Sequence, residues 1–249
     1  VTRTVLLDLD GTLVDSAPGI LGTLRTAFDQ VGVPWDDTVI GRHLLGPPLY
    51  ESLPPIVGAE AAAAVLARYR PLYQESGLLK STPYPGIEPL LRALVAADVQ
   101  LGLATSKNEP AAREIIANQG WTELFTAITG DTVDARRPSK AAVVEEALRR
   151  LGSPAPADCV MVGDRLHDVV GSAAHGVSCL GAGWGYAEPG ELAAAGAAAI
   201  YATADELRAA LLGLVLFAIR TLVRHANLPY RAGHGQGGGL GVGGGGRHR

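Results

Sequence analysis

Apolar residues fall along this chain in two alternating patterns. Short continuous runs, such as Val5-Leu6-Leu7 and the stretch from Cys159 to Val162, read as strands buried on both faces. Between them, apolar positions recur at helical spacing. Strands are expected within 1–10 (VTRTVLLDLD) and at 99–104, 127–129, 159–162 and 177–180, with a weaker one at 198–201. Helices are expected at 17–31, 59–76 (with a break at Pro71), 86–97, 109–119, 140–151, 166–174 and 203–212. No strand is expected between 16 and 81. Alternating strand and helix predicts a parallel sheet with helices on both faces. The layout is one strand, a helical insert, then the rest of an α/β domain.

Composition narrows the class. With 47% hydrophobic residues, 18% charged residues and a net charge of −4, the chain should be globular and soluble. So mild a charge argues against nucleic acid or an anionic membrane as partner. The longest apolar run, Ala209 to Ile219, falls short of the ~20 residues of a membrane helix. No signal-peptide pattern is visible. Cys159 and Cys179 lie in apolar stretches and read as small core residues, which fits a reducing compartment. The expectation is a cytoplasmic enzyme. From about 231 the chain is Gly-rich and basic, a composition that favours disorder.

Ligands of open α/β sheets bind beyond the carboxyl ends of the strands. The first strand delivers Asp8 and Asp10 there, on one side of the chain, with Leu9 facing the other way. The strand at 99–104 delivers Thr105, Ser106 and Lys107. The strand at 159–162 delivers Gly163, Asp164 and, one helical turn on, Asp168. Lys140 opens a helix that packs back on the same sheet. Carboxylates gathered this closely need a counter-charge, and a hard divalent cation such as Mg²⁺ supplies it. Thr105 and Lys140 are donors suited to an anionic substrate.

These motifs, Asp8-Leu9-Asp10-Gly11-Thr12, Thr105 after an apolar strand, Lys140 before a helix and Gly163-Asp164-x-x-x-Asp168, occur in the order of the haloacid dehalogenase superfamily. Residues 4 to 212 resemble its phosphatases, in particular the phosphoglycolate phosphatase-like group. The resemblance implies a Rossmann-like core over 1–15 and 82–213, an inserted α-helical cap over 16–81, and an extension over 214–249. It implies that Asp8 is the nucleophile, and that Asp10 is the acid and then the base, in a site away from the metal's charge. It further implies that Asp8, the Asp10 carbonyl, Asp164 and Asp168 serve Mg²⁺. Thr105 and Lys140, with Ser106 beside them, would hold the phosphoryl group. Many relatives carry Lys-Pro-x-Pro at the third motif, where this chain has Arg137-Pro138-Ser139-Lys140; Lys140 is preferred over Arg137 because it starts the helix.

The helical insert offers Arg42 and His43 as substrate contacts and GPPL at 46–49 as a cap loop. His167 reads as an exposed helix residue. Ser16 is expected to cap the helix at 17–31, with no chemical role for Asp15. Trp184 and Tyr186 are expected to pack in the core or a loop. The implied activity is hydrolysis of a small phosphomonoester by a monomer or homodimer. Phosphoglycolate comes first, then a nucleoside 5′-monophosphate or a sugar phosphate, with a mutase sharing the motifs. A dehalogenase is disfavoured by Asp10. A phosphonate hydrolase is disfavoured because no Lys occurs between 16 and 79. The alternative of another class is a non-catalytic binding module on the same fold.

Overall fold

A computed structural model describes residues 3–132 and 134–214. The extension expected beyond 214, including its disorder from 231, lies outside the described residues. Strand β1 (Thr4–Leu7) pairs in parallel with β4 (Gln100–Asn108) on one side and β6 (Cys159–Gly163) on the other. With β5 (Ala127–Asp131), β7 (Ser178–Ala182) and β8 (Ala199–Tyr201), the order is β5-β4-β1-β6-β7-β8. Every pairing in this sheet is parallel. All four β1 residues are buried, as expected for a central strand covered on both faces.

Among the described residues the sheet is flanked by α5 (Ile87–Ala96), α6 (Glu109–Asn118), α7 (Lys140–Arg150), α8 (Leu166–Ala173) and α9 (Glu191–Ala195), followed by a helix from 204. Helix α5 buries Ile87, Leu90, Leu91 and Leu94, the i, i+3, i+4, i+7 stripe. Cys159 and Cys179 are both buried free thiols. No helix among the described residues is long and apolar enough to cross a membrane.

Between β1 and β4 the chain leaves the sheet through β2 (Val14–Asp15) and returns through β3 (Thr82–Pro83). These two crossings pair antiparallel, Val14 with Pro83 and Asp15 with Thr82. The ribbon was not expected, because two residues are too short for alternation to register. The intervening segment holds α1 (Ala17–Val31), a 3₁₀ turn (Arg42–Leu44), α2 (Leu49–Ser52), α3 (Pro54–Val57) and α4 (Ala59–Leu72). Helix α1 buries Ile20, Leu24, Ala27 and Phe28 and stops at left-handed Gly32, whose N–H returns to Phe28 O. The break expected at Pro71 comes slightly later. Helix α4 passes that proline and gives way to a π-type turn at Tyr73–Gly77.

Candidate active site

The carboxyl end of β1 is the centre of the site. Asp8 N–H donates to Val162 O at 2.9 Å, so the β1–β6 ladder continues through it and fixes the residue between β4 and β6. Lys140 reaches this point from the start of α7, whose Ser139 accepts the Ala142 N–H at 3.2 Å as N-cap. Its ammonium stands 2.8 Å from Asp8 Oδ1 and 2.7 Å from Asp168 Oδ1, and donates to Ala104 O at 3.0 Å. Arg137 turns away from the site. Its guanidinium binds Gly130 O at 2.7 Å and Glu109 Oε2 at 3.1 Å.

Asp164, fully buried, follows β6. Its Oδ1 accepts from Thr12 Oγ1 at 3.0 Å and its Oδ2 from the Tyr186 N–H at 2.7 Å. Asp168 Oδ2 accepts the Arg165 N–H at 3.0 Å, closing the first turn of α8. Glycine makes this packing feasible: a Cβ on Gly163 would lie 2.2 Å from Asp168 Cγ, and one on Gly185 2.3 Å from Asp164 Cβ.

Asp8, Asp164 and Asp168 each offer an oxygen within 4.8 Å of the others. Burial pushes the Asp8 carboxyl up to about 6, with Lys140 opposing and Asp168 assisting. Burial, then the charges of Asp168 and Asp8, push Asp164 well above the carboxylate range. Burial alone would lower the pKa of Lys140, but Asp168 and Asp8 reverse that and hold it protonated. Three acidic side chains converge here on the single ammonium of Lys140. Such convergent oxygens fit a hard divalent cation.

Asp10 has an ion-pair partner that the sequence did not assign to it: Lys107 Nζ lies 3.0 Å from its Oδ2, while its buried Oδ1 has no hydrogen-bond partner. The same ammonium donates to Tyr73 OH at 2.9 Å and sits 4.8 Å from that ring's centre. Lys107 gets there because β4 does not end at 104. Its pairing with β5 shifts register between Ala104 and Asn108, and such an irregularity re-aims side chains. Thr105 is buried on this stretch, its Oγ1 accepting the Lys107 N–H at 3.2 Å. Ser106 lines a cavity of about 470 Å³ that opens beside Asp10 and Lys107 and runs under α2 and α4.

Arg42 and His43 do not line that cavity. Arg42 instead donates to Gly185 O at 3.0 Å and stacks over the Tyr186 ring at 5.6 Å, while His43 is exposed. His167 is exposed as expected. The capping expectation is also corrected. Ser16 makes no side-chain cap bond; Asp15 Oδ1 accepts the Ala17 N–H at 3.1 Å, and Tyr186 OH accepts from Ser16 N at 2.8 Å and Ala17 N at 3.0 Å. Sequence reasoning brought Lys107 to the rim and Thr12 into the first motif but gave neither a role, and it left Tyr186 to core or loop packing. Nothing local marks Tyr186, which arrives by way of the loop after β7.

Residues 2–176 match the sequence profile of the haloacid dehalogenase-like hydrolases. The chain is 41% identical over 211 residues to tyrosine-protein kinase PtkA of Mycobacterium tuberculosis, covering 84% of this chain and 72% of that one. It is 35% identical over 192 residues to a 5′-nucleotidase of Pseudomonas aeruginosa (76% and 86%). With a phosphoglycolate phosphatase of Xylella fastidiosa it shares 34% over 188 residues (74% and 81%). The crystal structure of a predicted phosphatase from Clostridium acetobutylicum superposes with a TM-score of 0.80 at 31% identity, covering 86% of this chain and 99% of that one. Fold, site and relatives agree: the chain belongs to the haloacid dehalogenase-like hydrolase family.

Proposed function

We propose that this protein is a Mg²⁺-dependent phosphatase of small phosphomonoesters that works through an aspartyl-phosphate on Asp8, with residues 16–81 as a cap over the site. The observation that carries the proposal is the Lys140 ammonium, held between Asp8 and Asp168 at the carboxyl end of the central strand. It steadies the Asp8 carboxylate for attack while Thr105 and Ser106 face the incoming phosphoryl oxygens. The relatives named 5′-nucleotidase and phosphoglycolate phosphatase support this class of substrate.

Asp8, Asp164 and Asp168, with the Asp10 carbonyl, would hold Mg²⁺, which supplies charge neutralisation for the phosphoryl group. In the first step an Asp8 oxygen attacks phosphorus, the ester P–O bond breaks, and Asp10 gives its proton to the departing oxygen. In the second, Asp10 takes a proton from water, the resulting hydroxide oxygen bonds to phosphorus, and the P–O bond to Asp8 breaks. Proton delivery requires the Asp10–Lys107 pair to open. Tyr73 holds Lys107 from the helical segment, so cap position and acid are linked through one ammonium. Further bonds join the segment to the core, from Tyr50 OH to Asp131 Oδ2 at 3.1 Å and from Arg165 to Leu45 O. They suit a lid that excludes water during the first step.

Asp8→Asn should lower Mg²⁺-dependent phosphate release from a phosphomonoester panel by about a thousandfold or more, with an unchanged circular-dichroism spectrum. Full activity in that variant would sink the mechanism. A second reading, transfer of the phosphoryl group to an acceptor other than water, draws support from the relative named a tyrosine-protein kinase. Partition of phosphorylated Asp8 between water and added hydroxyl acceptors separates the two.

A further inference from the structure

The cavity beside Asp10 is built for something other than a second anion. The acid must sit at the leaving oxygen, so the space opening from Asp10 receives the leaving alcohol rather than the phosphate. That space, about 470 Å³, is far larger than a two-carbon acid needs and falls in the range of sites for drug-sized ligands.

Aromatic and aliphatic side chains form much of its wall, with Gln74, Ser106, Asn108 and Thr132 as polar members. Tyr50, Tyr69 and Tyr73 contribute rings, and Ile20, Leu44 and Leu66 contribute side chains. Tyr69 and Tyr73 are stacked, with centroids 5.2 Å apart and planes inclined by 16°. Both rings are buried, and each is held from the same helical segment.

The charges inside are poorly suited to a carboxylate or second phosphate. In the resting structure Lys107 is engaged by Asp10 and by the Tyr73 hydroxyl. Asp131, buried on the same lining, presents a carboxylate that Tyr50 OH, Thr132 N–H and Arg137 N–H already satisfy, at 3.1, 2.7 and 3.0 Å. Arg70 lies exposed at the edge. The Asp131 carboxylate on the lining opposes an anionic leaving group. An uncharged ring would exchange water for apolar wall, and rings packed on rings gain further from offset or edge-on stacking.

We propose that the substrate is a phosphomonoester whose leaving alcohol carries an uncharged aromatic ring, which lodges in this cavity against Tyr50, Tyr69 and Tyr73. The inference rests on the phosphatase reading and specifies its substrate class. The chemistry is that given above: the ester oxygen takes the Asp10 proton and departs into the cavity as the aromatic alcohol.

The test compares propyl phosphate with phenylpropyl phosphate, whose alcohols have similar acidity, so the ring acts only through binding. Phosphoglycolate is the third substrate. The ring should raise kcat/KM by at least about tenfold over propyl phosphate, and phosphoglycolate should fall below phenylpropyl phosphate. Tyr50→Ala, at a half-buried position, should narrow the ratio between the two propyl esters. A ratio near one, or faster turnover of phosphoglycolate than of phenylpropyl phosphate, overturns the inference while the phosphatase reading stands. If no ester is hydrolysed with Mg²⁺, the phosphatase reading fails instead. Thermal shifts with phenylpropylphosphonate and propylphosphonate then decide: tighter binding of the first upholds the aromatic site, and equal binding overturns it.

Discussion

Gly11 shows how little room the acidic cluster leaves. Its φ is +82°, in the left-handed region, and a Cβ there would lie 2.2 Å from Asp164 Oδ2 and 2.7 Å from the Tyr186 ring. Gly11→Ala adds the left-handed cost of a side chain to a clash that must push Asp164 aside. We expect a loss of at least about 2 kcal/mol in urea unfolding and at least about tenfold weaker Mg²⁺ binding by calorimetry. The metal reading has its own check in Asp164→Asn. Mg²⁺ should raise the Tm of the wild type and leave that variant almost unmoved; equal increments in the two proteins would place the cation elsewhere. Single residues were legible unevenly. Asp8, Asp164 and Asp168 stand on strand ends or one turn beyond, where motif spacing alone positions them. The ion pair at Asp10 was not foreseen. Its partner Lys107 depends on a register shift in β4 and on a hydroxyl from Tyr73, neither of which leaves a period in the sequence.

At the scale of elements, the start of α1 is held from outside the helix. Helix N-termini carry N–H groups without intrahelical partners, and here Tyr186 OH accepts two of them while donating to Asp15 Oδ1 at 3.0 Å. Its backbone N–H meanwhile binds Asp164. One residue therefore ties the acidic cluster to the point where the chain leaves the sheet. Tyr186→Phe should cost about 1–3 kcal/mol in chemical unfolding, because the buried Ser16 N–H loses its acceptor while Ala17 N–H keeps Asp15. A Ser16→Ala change, by contrast, removes no cap bond. The sequence suggested the reverse, since Ser is a good N-cap and the tyrosine lies 170 positions away. Helix and strand positions in the core were legible because each buries a continuous or periodic apolar set. The β2–β3 ribbon and the turn at Tyr73–Gly77 rest on tertiary contacts and were not.

For the whole molecule, a charged layer at one side of the sheet governs behaviour in acid. Glu109 joins Arg113, Arg137 and Arg150, and Glu146 joins Arg137, Arg149 and Arg150, linking α6, α7 and the end of β5. Burial would raise the Glu109 pKa, but hydrogen bonds from Arg150, Arg113 and the Gly130 N–H outweigh it and hold the group at about 2. A depressed carboxyl stabilises the fold above its unfolded value of 4.5, and that contribution is lost as pH falls toward 2. Urea midpoints of wild type and Glu109→Gln should therefore differ most near neutrality and converge between about pH 5 and about pH 2. A gap that stays constant through that window would assign the acid sensitivity to other groups.

The position of β1 has a consequence for the order in which the chain is made. The strand that leads into Asp8 is made well before both of its neighbours in the sheet, which begin at Gln100 and Cys159. Until both have been synthesised, an apolar strand waits with its main-chain donors and acceptors unmatched, beside a helical segment that can already assemble from local contacts. Pairings so distant along the chain form slowly and leave aggregation-prone edges exposed in the interval. The nascent protein is thus most vulnerable at the strand that will carry the reaction. That exposure ends only when β6 is translated and closes the ladder beside Asp8.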